Sequence, residues 1–275
     1  MIEPRPAHPF AWTPQPWGPA LQSLPLDPVA RHLFTTRDLP LRGRDAHAGW
    51  ARLADAAGVS PSSLRRLKQV HGAEVVVARP GRPVASTEDG WPRADVIITD
   101  DPTVAVAVQV ADCVPLLLAD PVTRAVAAVH AGWRGTAAGV ARVAVAALQS
   151  HFGARPADLL AAIGPSIGPC CYQVGTDVLE AFRAAGFRED QLREWFRPDA
   201  DAADLKGGNA VPREGGARYR LDVPRANAHQ LRDAGVDPAN IHSCGLCTSC
   251  HPSVFPSYRR DGARTGRIAG VIRAR

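Results

Sequence analysis

The sequence predicts a mixed-sheet α/β domain, and three observations carry that prediction. Residues 104–136 form the longest apolar stretch of the 275-residue chain. They divide into three strand-length runs rich in Val, Ala and Leu, at 104–110, Val114–Ala119 and 125–130. Strand-like and helix-like segments intermingle from end to end without strict βα alternation, which argues against Rossmann and TIM architectures. No G-x-G-x-x-G or G-K-[ST] loop is present, so a dinucleotide or P-loop fold has no signal.

The elements follow in chain order. Residues 1–28 are Pro-rich and are expected to be irregular, with 29–275 forming one domain. Residues 32–37 read as a short strand ending in polar groups. Ala46–Ala57 reads as a helix, and a second short helix begins at Ser60-Pro61. Residues 74–78 and 94–99 read as strands, with 80–91 as a loop between them. Gly72 permits a tight bend after His71. Beyond the central stretch, residues 136–152 read as a helix with Thr136 as N-cap and Gly153 as stop; Val140, Val143, Ala144, Ala147 and Leu148 share one face. A strand at 159–163 runs into a Gly- and Pro-rich loop at 164–172. A helix over 177–185 follows, then a polar, Gly-rich segment at 197–216 with the composition of a mobile insertion. A strand at 219–223 and a helix at 224–234 ending before Gly235 come next. A strand at 241–244 follows, and the C-terminus reads as a hairpin around Asp261-Gly262.

Within the central stretch, Asp120-Pro121-Val122-Thr123 has turn chemistry. A hairpin closed by those four residues pairs Ala119 with Arg124 and Cys113 with His130. Directly opposed Cβ atoms lie roughly 4.5–5.5 Å apart, close enough for a thiolate and an imidazole to share a metal ion or a proton. A one-residue slip would aim them at opposite faces. Taken singly, Cys113 is better explained as a buried apolar thiol and His130 as a satisfied core histidine; the paired register brings the site reading level with that one. The Gly-rich turn 131–136 opens the following helix, so its free amides and Arg134 form a candidate anion site at the strand end.

Composition narrows the functional classes. The chain is 45% hydrophobic and 21% charged, as in a soluble globular protein. Its net charge is +5, and only Lys68 and Lys206 of its 32 basic residues are lysines. The arginines are scattered, which suits small anionic substrates better than nucleic acid. The start has no basic region followed by an apolar core, and no run reaches 18 uninterrupted apolar residues. A cytoplasmic protein with no membrane span is therefore expected, its six cysteines reduced, metal-bound or catalytic.

Cys244-x-x-Cys247-x-x-Cys250-His251 is the most conspicuous local pattern. Its end matches the haem attachment string, which needs export and is set aside. A structural zinc site is an alternative, but the cluster lacks a distant second ligand pair. A cysteine cluster near the active site is preferred, with no second zinc. The zinc-deaminase signature and the serine-hydrolase G-x-S-x-G are absent. Nine histidines without an H-x-H pair are a poor multicopper ligand set.

With His71, Cys113 and His130 in place, the chain resembles the YfiH-type family of laccase-domain or polyphenol oxidoreductase proteins. The matching segments are QVHG (69–72), ADVIIT (94–99), ADCVPLLLAD (111–120), AAVHAGWRGT (127–136), IGPSIGPCCYQVG (163–175), LDVPRANAHQL (221–231) and SYRRDGARTGR (257–267). The resemblance implies a mixed-sheet β-sandwich with flanking helices, and one zinc ion on His71, Cys113 and His130. It implies a purine nucleoside phosphorylase acting on adenosine, inosine and methylthioadenosine, with adenosine deamination as a side activity. Copper-dependent phenol oxidation is also associated with the family, so copper is an alternative metal. The expected partners are purine nucleosides and phosphate, in a monomer or homodimer. Where the family continues with a Gly-Gly turn after the arginine, this chain has Asp38-Leu39-Pro40-Leu41 after Arg37.

On that reading Arg134 with the Gly135 and Thr136 amides cradles phosphate, Arg37 is a second phosphate residue, and Asp112 moves a proton or orients a histidine. A metal-free Cys113–His130 cysteine hydrolase is the alternative of a different class.

Overall fold

The protein is described here by a computed structural model covering residues 3–79, 91–199 and 217–275. The predicted loop at 80–91 and the polar segment at 197–216 fall largely outside these residues.

Three sheets and seven α-helices form among the described residues. The first sheet has the order β1 (Phe10–Gln15), β2 (Gly18–Ser23), β3 (Ala30–Phe34), β15 (Ile268–Ala274), β7 (Ala105–Val110), β4 (Leu64–Arg65). The second has the order β14 (Ile241–Ser243), β10 (Leu160–Ile163), β8 (Val114–Ala119), β9 (Val126–Ala131), β6 (Val96–Thr99), β5 (Val75–Val77). Both are mixed: β4–β7, β10–β14 and β5–β6 pair parallel, and the other pairs are antiparallel. A small third sheet joins β11 (Gln173–Gly175), β13 (Arg218–Leu221) and β12 (Phe196–Pro198).

The apolar runs are continuous because both faces of each large sheet are covered. In β8, Leu117 and Ala119 face the first sheet with Val106, Val108 and Ile272, while Val114, Leu116 and Leu118 face helices. Those helices are α2 (Trp133–Ala137), α3 (Val140–Phe152), α4 (Thr176–Ala184), α5 (Glu189–Trp195) and α6 (Val223–Asp233). On the outer side of the first sheet, Ala105, Ala107 and Val271 pack against Leu53 and Trp50 of α1 (Ala46–Ala57). The result is helix, sheet, sheet, helices, the sandwich with flanking helices that the sequence predicts.

Three local expectations are corrected. Residues 10–23 are a regular hairpin, β1 pairing with β2 from Phe10↔Ser23 to Gln15↔Gly18. Pro14 and Pro19 face each other across it: Pro14 is tolerated because β1 is the sheet edge, and Pro19 lies outside the Leu21↔Phe34 pairing that joins β2 to β3. The C-terminal segment is not a hairpin: α7 (Tyr258–Asp261) precedes β15, which pairs with β3 and β7. Ser257 caps α7 by accepting from the Arg260 N–H, while Asp261 accepts from the Ser257 N–H. Thr136 is not an N-cap, since it lies inside α2, and α3 starts after Gly139 in the left-handed region (φ 78°).

The central hairpin forms with a longer loop than predicted. Asp120 N–H donates to the Ala125 carbonyl, and Arg124 takes a left-handed φ of 65°. The Asp120 carboxylate accepts from the Val122 N–H and the Thr123 hydroxyl. The register becomes Ala119↔Val126 and Pro115↔His130. This shift of two residues preserves side-chain parity, so Cys113 and His130 stay on one face as diagonal neighbours.

Leu117 is fully buried between the two large sheets. Leu117→Ala is expected to cost about 2–5 kcal/mol in urea unfolding. Truncating Leu24, half exposed on the surface, should change stability by less than about 0.5 kcal/mol.

Candidate metal centre and active-site cleft

The site is built around a carboxylate at the entrance of β6. Asp95 is fully buried. An unpaired carboxylate there would be very costly, and this one is saturated. Its Oδ2 accepts from the Val70 and Gly72 N–H groups at 3.2 and 2.7 Å. Its Oδ1 accepts from the His71 N–H at 3.0 Å and from His130 Nδ1 at 2.7 Å. Three consecutive amides can converge on one side chain because His71 adopts a left-handed φ of 62°. Burial pushes the Asp95 pKa up, but the bonds from His130 and from the Gly72 and His71 amides prevail and hold it below the ordinary carboxylate range.

One carboxylate thus fixes two histidines, shaping the turn that carries His71 and engaging Nδ1 of His130. His130 is left with Nε2 to face the cleft. The two rings meet edge-on, centroids 4.8 Å apart. Cys113, at the entrance of β8, places Sγ 3.9 Å from His71 Nε2. One donor atom from each of His71, Cys113 and His130 falls within 4.8 Å of the others. Gly132 makes this approach possible: a Cβ there would lie 2.9 Å from His71 Cδ2 and 3.0 Å from Cys113 Sγ. Two imidazoles and a thiolate, one imidazole oriented from behind by a carboxylate, suit a borderline-soft ion such as zinc.

The same proximity sets the charges. Burial pushes the Cys113 thiol up, but His130 and His71 outweigh it and bring its pKa down to about 6. Burial pulls His130 down, and the Cys113 thiolate and Asp95 raise it to about 9. Without a metal, Cys113 and His130 are a thiolate–imidazolium pair at neutral pH.

The three donors open into a pocket of about 480 Å³ lined also by Gln69, Gln109, Tyr258 and Arg267. That lies within the roughly 300–1,000 Å³ range of small-molecule sites. Gln69 Nε2 donates to the Gln109 carbonyl and its Oε1 accepts from the Gln109 N–H, which holds this wall rigid. Arg267 also lines an adjoining pocket of about 400 Å³ that contains Arg37, Arg42 and Arg264. Arg42 donates to the Ala263 carbonyl at 2.6 Å, and Arg37 donates to the Pro252 carbonyl.

The sequence-predicted residues divide accordingly. His71, Cys113 and His130 come together, and Arg37 lies in the adjoining arginine-lined pocket. Arg134 lines neither pocket; it is exposed, its guanidinium 4.3 Å from the Trp133 ring centroid. Thr136 is fully buried, its N–H donating to the Gly132 carbonyl and its hydroxyl accepting from Asn227. Gly135 is buried too, with space for no side chain against the Gly72 carbonyl. The Thr136 amide is thus spent inside the helix, and Arg134 and Gly135 stand outside both pockets.

Asp112 lies beside Cys113, with its carboxylate buried. Its carboxylate accepts from the Thr248 hydroxyl at 2.6 Å, the Ser257 hydroxyl at 3.1 Å and the Arg259 N–H at 2.6 Å. Those bonds clamp the two C-terminal loops beside Cys113. Asp95, Gln69, Tyr258 and Arg267 were not singled out from sequence. The available signal for Asp95 was an acidic residue opening the apolar strand ADVIIT, which can be buried there only if paired.

A family profile described as "Multi-copper polyphenol oxidoreductase laccase" matches residues 42–275. The chain belongs to this family. A protein of Deinococcus radiodurans named purine nucleoside phosphorylase is 39% identical over 222 residues, covering 81% of this chain and 74% of its own. The purine nucleoside phosphorylase YlmD of Geobacillus stearothermophilus is 36% identical over 208 residues, covering 74% and 70% of the two chains. The crystal structure of YlmD from that organism superposes with a TM-score of 0.79 at 30% identity, covering 97% of this chain and all of the other. A crystal structure of the Bacillus licheniformis protein YfiH also gives 0.79, at 29% identity, covering 93% of this chain and 96% of that one. The YfiH resemblance and the sandwich fold inferred from sequence are thereby established. No helix among the described residues is long and apolar enough to cross a membrane.

In protein stripped of metal, alkylation of Cys113 should follow a titration centred near pH 6 rather than 9, because a lowered pKa keeps the thiolate present down to that pH. Peptide mapping of iodoacetamide labelling against pH measures it, and His130→Ala should move the midpoint upward.

Proposed function

We propose that this protein is a zinc-dependent purine nucleoside phosphorylase acting on adenosine, inosine and methylthioadenosine, with adenosine deamination as a side activity. The observation that carries the reading is Arg267, which lines both the His71–Cys113–His130 pocket and an arginine-lined one. A neutral ring system with a ribose suits the first chamber, and an anion suits the second. The names of the relatives point the same way.

Phosphorolysis forms a bond from a phosphate oxygen to the anomeric carbon and breaks the bond from that carbon to the purine nitrogen. The products are ribose 1-phosphate and the free base, which takes up a proton. Charge develops on the sugar as an oxocarbenium ion. Arg267, with Arg42 and Arg37 behind it, holds phosphate through charge-assisted hydrogen bonds, which guanidinium geometry favours. Gln69 and the Tyr258 hydroxyl offer polar contacts to sugar and base across the pocket. Asp95 keeps His130 in the tautomer that presents Nε2. His71, Cys113 and His130 would hold the zinc ion, which would supply Lewis acidity toward a substrate atom or a water molecule, the chemistry that deamination needs.

The family's profile name suggests copper-dependent phenol oxidation instead. Among the described residues the site offers two imidazoles and one thiolate, a sparse set for multicopper chemistry. A second reading has a specific observation behind it. Asp95, His130 and Cys113 are arranged as an orienting carboxylate, a base and a thiolate nucleophile, as a cysteine hydrolase requires. His71 is superfluous in that reading and a ligand in the first.

The test is release of free base from inosine, with and without phosphate and after chelation. The phosphorylase needs phosphate, forms ribose 1-phosphate, and loses activity to a chelator and regains it with zinc. Arg267→Ala should raise the KM for phosphate at least about tenfold, the scale of one lost charge-assisted contact. Arg134→Ala, by its position, should leave that KM within about twofold. Phosphate-independent turnover that survives chelation would replace the phosphorylase with the hydrolase.

A further inference from the structure

The fold brings together four cysteines that the proposed activity does not use. Cys170 and Cys171 lie in the loop after β10, and Cys247 and Cys250 lie in the loop after β14. Their sulfurs all fall within 4.8 Å of one another. Cys250 Sγ is 3.5 Å from Cys170 Sγ and 3.4 Å from Cys171 Sγ. A zinc–sulfur bond of about 2.3 Å places the sulfurs of a tetrahedral site about 3.8 Å apart. The observed separations match that cage far better than a disulfide, whose sulfurs are about 2.05 Å apart.

The sequence argument against a zinc site was the lack of a distant second ligand pair for the cysteines of 244–250. The fold brings such a pair, Cys170-Cys171, some 80 positions upstream, against Cys250 and Cys247. The local pattern had also grouped the wrong residues. Cys244 is buried in the core between the sheets, and His251 is not part of the cluster.

We propose that Cys170, Cys171, Cys247 and Cys250 bind a second, structural zinc ion. All four positions are filled by protein, the mark of a structural site as opposed to the open His71–Cys113–His130 centre. Each ligating thiol gives its proton to solvent, and no electrons move. The surroundings suit a tetrathiolate of net negative charge. The Gly168 N–H donates to Cys247 Sγ at 3.3 Å. Arg220 donates to the Cys170 carbonyl at 3.0 Å, and Arg260 to the Thr248 and Ser249 carbonyls at 3.1 and 3.0 Å.

The ion would join two loops that already touch. The Thr248 N–H donates to the Ser166 carbonyl, and the Ser166 N–H to the Leu246 carbonyl. The Thr248 hydroxyl then bonds Asp112, the neighbour of Cys113. A staple here fixes the clamp behind the catalytic thiolate without touching substrate.

The full-length chain, purified in the presence of reductant, provides the test. The zinc content of Cys170→Ser/Cys250→Ser should fall by one equivalent relative to the parent, while Cys113→Ser keeps that equivalent. This difference does not depend on the phosphorylase reading. In the unsubstituted chain, which avoids any question of folding, Cys170 and Cys250 should resist alkylation despite their exposure and react after chelation. Equal zinc in the double variant and the parent overturns the proposal. So does immediate alkylation of Cys170 and Cys250 in zinc-replete protein, or a disulfide from Cys250 to Cys170 or Cys171.

Discussion

The site depends on four hydrogen bonds to one buried carboxylate. Asp95 holds the 70–72 turn through three amides and His130 through its ring, so two histidines from distant parts of the chain are positioned by one group. A fully buried carboxylate is tolerable only while those donors are in place. The arrangement is mutual. The left-handed backbone at His71 is held by the carboxylate it serves, and the carboxylate stays ionised because the turn donates to it. Cys113 then enters from the third side, where Gly132 leaves room for its sulfur.

The sandwich supplies the rigidity this requires. Asp95, Cys113 and His130 all sit at the ends of strands in the second sheet, whose two faces are covered by the first sheet and by the α3–α6 layer. The C-terminal strand β15 lies in the other sheet, and Arg267 just before it reaches the cleft. The pocket thus lies where one sheet's strand ends meet the loop entering the other sheet. Asp112 seals the back of Cys113 by tying down the 248 and 257–259 segments.

Much of this was legible in the residues. The apolar runs revealed the buried strands, because a strand covered on both faces needs no polar alternation. The hairpin that joins Cys113 to His130 was visible, and its two-residue error did no harm because parity was preserved. What the sequence hid were long-range side-chain bonds. Nothing local distinguishes Asp112 as a clamp from Asp95 as the ligand-orienting carboxylate; both open apolar strands, and only the fold shows which amides and hydroxyls surround each. The Cys170-Cys171 pair was likewise separated from Cys247 and Cys250 by a distance only topology closes. The N-terminal hairpin was masked by Pro14 and Pro19, which face each other across it. The opposite settings of Arg134 and Thr136 were hidden too, because the short α2 helix turns one out to solvent and the other into the protein.

The measurement that bears most directly on this account is the zinc affinity of Asp95→Asn, by competition with a chromophoric chelator. The substitution keeps the size of the side chain but removes its charge and one acceptor. The account predicts a loss of about 10–100-fold in affinity for the His71–Cys113–His130 site, the scale of losing the partner that orients a metal-bound histidine. Unchanged affinity in a folded Asp95→Asn protein would contradict it.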